Sequence, residues 1–268
     1  MPQTHLNGID IYYELHGSGP PLVMIMGLRR NAEWWYQQIP VLSRHFRLLV
    51  FDNRGSGRSG QPEMEYSIAL FADDTAALME HLNLESAAVL GYSMGGYIAQ
   101  ELAIRYPEKV QRLILVSTSA GGASAVRMDP ARQKEFEDVA GLSPEQVLQK
   151  NLDIYFAPGF IAAHPDQIAR FMTVSLRHAQ PPEAFLRQYQ ACLRHDTTDR
   201  AGRIKAPVLI MTGDDDPLVP PGNSYILKEL LPRAQLKVFP GGRHSFLIQM
   251  PQPFNQAVLE FLGAAPGA

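Results

Sequence analysis

Five short stretches of the chain are apolar without interruption: Leu22-Val23-Met24-Ile25-Met26, Leu48-Leu49-Val50-Phe51, Ala87-Ala88-Val89-Leu90, Leu113-Ile114-Leu115-Val116 and Val208-Leu209-Ile210-Met211. Runs of this length with no polar alternation suit strands that are buried on both faces, as in a parallel sheet covered by helices. Between them apolar residues recur at the helical spacing of about 3.6. Ser67 reads as an N-cap for a helix through Leu82, with Phe71, Leu78 and Leu82 on one face. A second helix is expected from about Met94 to Tyr106, stopped by Pro107. Near the N-terminus, Asn7-Gly8 separates Gln3–Leu6 from Asp10–Leu15 and marks a hairpin. Strand and helix in alternation predict an α/β fold, a mostly parallel doubly wound sheet with an antiparallel hairpin at its start.

From Ser119 to about Gly202 the strand signal stops. Apolar and aromatic residues recur there at helical spacing, among them Phe136, Val139, Leu148, Leu152, Tyr155, Phe156, Phe171, Val174, Leu176, Phe185 and Tyr189. The expectation is a core domain from residues 1–118 and 203–268, interrupted by a helical lid at 119–202. In open α/β sheets ligands sit beyond the carboxyl ends of the strands. The lid is expected to cover that edge, with some of its aromatics lining a pocket and the rest packing.

Composition narrows the function classes. Hydrophobic residues make up 46% and charged residues 19% of the 268 residues, so the chain has the material for a substantial core. Lys and Arg number 24 against 27 Asp and Glu, with no long block of one sign, which argues against nucleic acid or anionic membrane partners and for a small molecule. Cys192 is the single cysteine, so there is no internal disulfide and no thiolate set for a metal; it reads as a small buried side chain. The first residues show neither a basic nor an apolar targeting region, and no apolar run approaches the ~18 residues that span a bilayer. A cytoplasmic protein is the expectation. No pattern specifies an oligomeric state.

The chemistry is concentrated at three places. Gly91-Tyr92-Ser93-Met94-Gly95 follows a strand and precedes a helix, and fits the G-x-S-x-G turn that lifts a serine hydroxyl clear of a sheet. A serine becomes nucleophilic when a base takes its proton and a third group orients that base. In such enzymes the chain order is serine, acid, histidine. Gly213-Asp214-Asp215-Asp216-Pro217 follows the strand at 208–211, and Gly241-Gly242-Arg243-His244 follows the extended run Leu236–Phe239. Both stretches therefore reach the carboxyl edge of the sheet, in the required order.

With these motifs the chain resembles the α/β-hydrolase superfamily over essentially its whole length. Gly91 to Gly96 is similar to the family's nucleophile elbow, and Asp52-Asn53-Arg54-Gly55-Ser56-Gly57-Arg58-Ser59 to its D-x-R-G-x-G-x-S segment. Gly213 to Pro220 is similar to G-x-x-D-x-x-x-P, which selects Asp216 as the acid. His244 and Pro251 match the family's histidine and following proline. Ser117 and Thr118 leave the alternative acid position unfilled. Met26-Gly27 and Gln249 depart from the histidine-glycine and glutamate found in many relatives.

The resemblance implies Ser93, Asp216 and His244 as the catalytic residues and the backbone NH groups of Leu28 and Met94 as an oxyanion hole. It implies no cofactor and no metal. Arg29 and Arg30, beside Leu28, admit two readings: a fork that grips a substrate carboxylate, or a solvated basic turn. Within the superfamily the chain resembles small esterases and 3-oxoadipate enol-lactonase-like hydrolases. The implied function is hydrolysis of a carboxylic ester or lactone through an acyl-enzyme. Carbon-carbon bond hydrolases and cofactor-free perhydrolases use the same triad, and some relatives keep the fold as small-molecule receptors.

Overall fold

The computed structural model describes residues 2–264. Its strands are β1 (Gln3–Leu6), β2 (Ile9–His16), β3 (Pro21–Ile25), β4 (Arg47–Phe51), β5 (Ala87–Tyr92), β6 (Val110–Val116), β7 (Val208–Gly213) and β8 (Gln235–Phe239). They form one sheet in the order β1-β2-β4-β3-β5-β6-β7-β8. The β1/β2 and β2/β4 pairings are antiparallel, and all later ones are parallel. Asn7 and Gly8 both have positive φ, 48° and 76°, the two-residue turn that matches the twist of a hairpin.

The apolar runs are buried on both faces because alternate side chains enter two separate cores. Val23, Ile25, Leu49, Val89, Leu113, Leu115 and Ile210 face one core. Leu22, Met24, Leu48, Val50, Leu90, Ile114, Leu209 and Met211 face the other. Each such fully buried aliphatic contributes on the order of 1.5–3 kcal/mol relative to exposure, so a one-residue slip in register is strongly disfavoured.

The helices are α1 (Ile39–Leu42), α2 (Ile68–His81), α3 (Met94–Arg105), α4 (Pro130–Glu137), α5 (Pro144–Lys150), α6 (Leu152–Tyr155), α7 (Pro158–Ala163), α8 (Pro165–Arg177), α9 (Pro182–Leu193), α10 (Gly222–Leu230), α11 (Phe246–Gln249) and α12 (Pro251–Leu262). Ser67 does cap α2, its hydroxyl accepting from the Leu70 amide at 3.1 Å. Phe71 and Leu78 of α2 and Ile98 and Leu102 of α3 fill the first core. Phe246 of α11 and Phe254 and Val258 of α12 fill the second. No described helix is long and apolar enough to cross a membrane.

Between β6 and β7 lie α4 to α9, with no strand of the sheet among them. Five of these six helices begin with proline, whose fixed φ and missing NH suit a helix's first position. The ends of the segment are stitched together: the Gly122 amide donates to the His195 carbonyl at 3.1 Å and the Thr197 amide to the Ala120 carbonyl at 2.8 Å. Leu148, Leu152, Phe156, Ile168, Phe171 and Val174 extend the second core, with Phe171 edge-on to Trp34 at 4.8 Å. Val139, expected among the covering residues, is exposed; it follows the end of α4, where no helix turns it inward.

Candidate active site

The sheet's strand order reverses between β3 and β5, which lie side by side while their chains lead away in opposite directions. Ligand crevices form beyond the carboxyl ends of strands at such a point. The loops that emerge there carry Gly27-Leu28 from β3 and Ser93 from β5.

Ser93 has φ 56° and ψ −120°, a costly backbone state for a residue with a side chain. The surrounding turn imposes it. A Cβ on Gly91 would lie 2.2 Å from the Gly95 carbonyl oxygen, and one on Gly95 would lie 2.1 Å from the Ile25 carbonyl oxygen. Only glycine lets α3 approach β3 this closely. The Ser93 amide donates to the Val116 carbonyl at 2.9 Å, and the Ser93 carbonyl accepts from the Gly96 amide at 2.8 Å and from the Thr118 hydroxyl at 2.9 Å. The partly exposed serine side chain points out of an otherwise buried turn.

His244, on the loop after β8, places Nε2 3.2 Å from Ser93 Oγ. Its Nδ1 lies 2.8 Å from Asp216 Oδ2. A carboxylate only accepts, so Nδ1 carries the proton and Nε2 turns its lone pair to the hydroxyl. Asp216 Oδ1 accepts from the Leu218 amide at 2.9 Å and the Val219 amide at 3.0 Å, which fixes the carboxylate's orientation. Both His244 and Asp216 are 2% exposed.

The two neighbouring aspartates do other work. Asp214 accepts from the Gly241 amide at 2.6 Å, and Asp215 pairs with Arg243 at 2.8 Å. They staple the two loops together and leave Asp216 to reach the imidazole.

The segment between β6 and β7 also holds the histidine, which sequence reasoning missed. The His244 amide donates to the Ile154 carbonyl at 3.3 Å, and the Ser245 amide to the Tyr155 carbonyl at 3.0 Å. Ser117 donates to the His244 carbonyl at 3.2 Å. Tyr92 lies against the imidazole, ring centres 5.1 Å apart. Burial pushes the Tyr92 phenol well above its ordinary range, so it stays a neutral wall.

Among the described residues the Leu28 and Met94 amides have no acceptor within the protein. Gly27 brings the first of these loops against Ser93: a Cβ there would lie 2.9 Å from Ser93 Cβ. The loop is pinned from several sides. Asn53 Nδ2 donates to the Met26 carbonyl at 2.8 Å, the Arg29 amide donates to Gln188 Oε1 at 3.2 Å, and the Ala32 amide donates to Asp52 Oδ1 at 2.7 Å. Asp52 is itself held by Arg58, and Arg54 by Asp74, each at 2.8 Å. The D-x-R-G-x-G-x-S segment is thus bracing for the loop that follows β3. Gln188 left a faint trace in sequence: it lies between Ala184 and Ala191 on the buried stripe of α9.

A cavity of about 190 Å³ opens over Ser93 and His244, walled in part by Tyr97, Met128, Tyr155 and Phe185. Phe136 and Tyr189 line it too, whereas Phe156 and Phe171 belong to the second core. Arg29 and Arg30 both reach the cavity wall, and Arg30 is buried. Cys192 keeps a little exposure there, but its thiol is enclosed and desolvation pushes it up to about 12, which leaves it protonated and unreactive.

Residues 20–251 match the family model described as the alpha/beta hydrolase fold. The chain is 30% identical to the putative carbamate hydrolase RutD of Azorhizobium caulinodans, covering 98% of each chain. It is 30% identical to 3-oxoadipate enol-lactonase 2 of Acinetobacter baylyi, over 89% of this chain and 87% of that one. Its structure is similar to the enol-lactonase from Burkholderia xenovorans LB400, with a TM-score of 0.86 and 25% identity over 98% of this chain and 100% of the other.

Proposed function

This chain belongs to the α/β-hydrolase fold family, and from that premise we propose that it is a serine hydrolase opening a small carboxylic ester or lactone. Ser93 attacks the carbonyl carbon while His244 Nε2 takes the hydroxyl proton. Asp216 holds Nδ1–H and stabilises the imidazolium that forms. The negative charge that develops on the carbonyl oxygen is received by the Leu28 and Met94 amides. Donors fixed in place before reaction are worth roughly 10²–10³ in rate each. His244 then gives its proton to the leaving alcohol, and water admitted from the cavity releases the acyl group by the same proton path in reverse. The segment at 119–202 acts as the lid, closing the cavity and carrying part of its wall.

The observation that carries this reading is the unbroken run of contacts from Asp216 Oδ2 through His244 to Ser93 Oγ, at 2.8 and 3.2 Å. The curated carbamate hydrolase relatives favour one variation, in which the same attack falls on a carbamate carbonyl. The test pairs covalent labelling with turnover. A fluorophosphonate probe is expected to label the wild type and not Ser93→Ala. The 4-nitrophenyl esters and carbamates of matched size then show which carbonyl is preferred. Asp216→Asn should retain the fold and lose roughly 10⁴ in kcat, since the imidazole then loses its orienting acceptor. Folded wild-type protein that resists the probe would point to a binding role instead.

A further inference from the structure

Arg30 is 5% exposed. Its guanidinium lies 3.9 Å from the Trp34 ring centre, 5.0 Å from that of Tyr155 and 5.9 Å from that of Phe171. Two arginines behind the same loop have carboxylate partners: Arg54 meets Asp74 and Arg58 meets Asp52, each at 2.8 Å. Among the described residues Arg30 meets none, and its guanidinium donates no hydrogen bond. Stacking on aromatic faces offsets part of the cost of taking the charge out of water. It leaves the edge of the guanidinium, where the N–H donors lie, unused.

The rest of the cavity wall has the same sign. Arg29 and Arg127 line it with Arg30, and no aspartate or glutamate does, in a chain whose net charge is −3. Arg29 lies 5.0 Å over Phe185, from a backbone held at φ 70°. Desolvation first, and then the charge of Arg30, lowers the pKa of the Arg29 guanidinium. Two cations lining one cavity repel each other, and an anion between them would relieve the repulsion and accept from N–H donors that no protein group uses.

We propose that Arg30, assisted by Arg29, is an anion seat that takes a carboxylate carried by the substrate in addition to its scissile carbonyl. The substrate class is then a small ester or lactone bearing a free carboxylate, of a size that fits about 190 Å³. A guanidinium edge offers a carboxylate two parallel N–H donors, which fixes its orientation as well as holding it. This assignment rests on the reading of Ser93 as the nucleophile in the same cavity.

The experiment compares charged substrates with neutral ones of similar length. 4-Nitrophenyl hemiglutarate against 4-nitrophenyl hexanoate places the charge on the acyl side. 4-Acetoxybenzoate against 4-acetoxytoluene places it on the alcohol side. The wild type should favour the charged member of one pair by roughly tenfold or more in kcat/KM, the range expected of a charge-assisted contact. In Arg30→Met, which keeps a long side chain against Trp34, that ratio should collapse toward one, mainly through KM. Arg29→Met should reduce it less.

Binding supplies a readout without turnover. Trp34, one of two tryptophans in the chain, lies 3.9 Å from the Arg30 guanidinium, so glutarate should change the fluorescence of Ser93→Ala protein and leave Ser93→Ala/Arg30→Met unchanged. Equal losses on charged and neutral esters in Arg30→Met, or no charge preference in a wild type that labels with fluorophosphonate, would overturn the seat. Glutarate binding at Arg30 in a protein that neither labels nor turns over any ester would keep the seat and remove the hydrolase reading.

Discussion

The side-chain oxygen of Gln188, on α9, accepts a hydrogen bond from the Arg29 amide at 3.2 Å. The nitrogen of the same side chain donates to the Arg54 carbonyl at 2.7 Å and the Ser56 hydroxyl at 2.9 Å. One fully buried glutamine therefore ties the helical segment to both loops that back the Leu28 amide. Gln188→Met keeps the volume and removes one partner each from the Arg29 amide, the Arg54 carbonyl and the Ser56 hydroxyl, at about 1–3 kcal/mol for each group that water cannot reach. On the proposed role of the Leu28 amide in holding the transition-state oxyanion, the expected outcome is a loss of roughly 10- to 100-fold in kcat with a smaller change in KM. Steady-state kinetics on one ester, with thermal unfolding beside it, check this; a change confined to KM would assign Gln188 to substrate binding.

The approach of α3 to β3 gives the sharpest steric prediction. In Gly95→Ala the new methyl meets the Ile25 carbonyl oxygen at 2.1 Å, and neither backbone can retreat without opening the sheet or the turn. A loss of more than about 3 kcal/mol is expected, beyond the usual cost of overpacking. Gly159→Ala in α7 meets nothing within 4 Å and should gain up to about 1 kcal/mol from helix propensity. Urea unfolding of the two variants measures the contrast.

His195 should make the fold sensitive to acid. Its ring stacks on Tyr97 at 4.3 Å, its Nε2 has no partner, and it is 4% exposed. Burial, chiefly, pushes the imidazole down from 6.5 to about 3. Below about pH 6.5 the unfolded chain takes up a proton that the folded chain refuses. The stability from this group is therefore whole above pH 6.5 and falls by about 1.4 kcal/mol per pH unit as the pH drops toward 3. His195→Phe preserves the stacking and removes the titration. Between pH 6.5 and 4.5 the wild type should lose about 2–3 kcal/mol more than the variant. Parallel pH profiles in urea would mean that the folded protein protonates this ring freely.

Much of this was legible in the chain because it depends on local energies. The Asn7-Gly8 hairpin, the Ser67 cap and the glycine-flanked turn at Ser93 are each specified within a few residues. The apolar runs announced the sheet because burial on both faces leaves no room for polar alternation. Val139 was misplaced for the converse reason: helical spacing identifies a face only while a helix continues, and α4 stops at Glu137. Among Asp214, Asp215 and Asp216, turn chemistry alone did not discriminate. The choice depended on family likeness, and in space the middle one turns to Arg243 while Asp216 turns to His244.

The amino-acid order by itself determined the strands, the turn around Ser93 and the sequence of hydroxyl, carboxylate and imidazole along the sheet's edge, since periodicity, glycine geometry and strand polarity act over short distances. Tertiary structure decided which polar groups are left without partners. Gln188 reaches Arg29 across 159 residues, the Ile154 and Tyr155 carbonyls steady the histidine loop, and Arg30 lies among rings with no carboxylate partner among the described residues. Pairing and burial belong to contacts between remote segments, and a linear pattern holds no record of which of those contacts a side chain will lack.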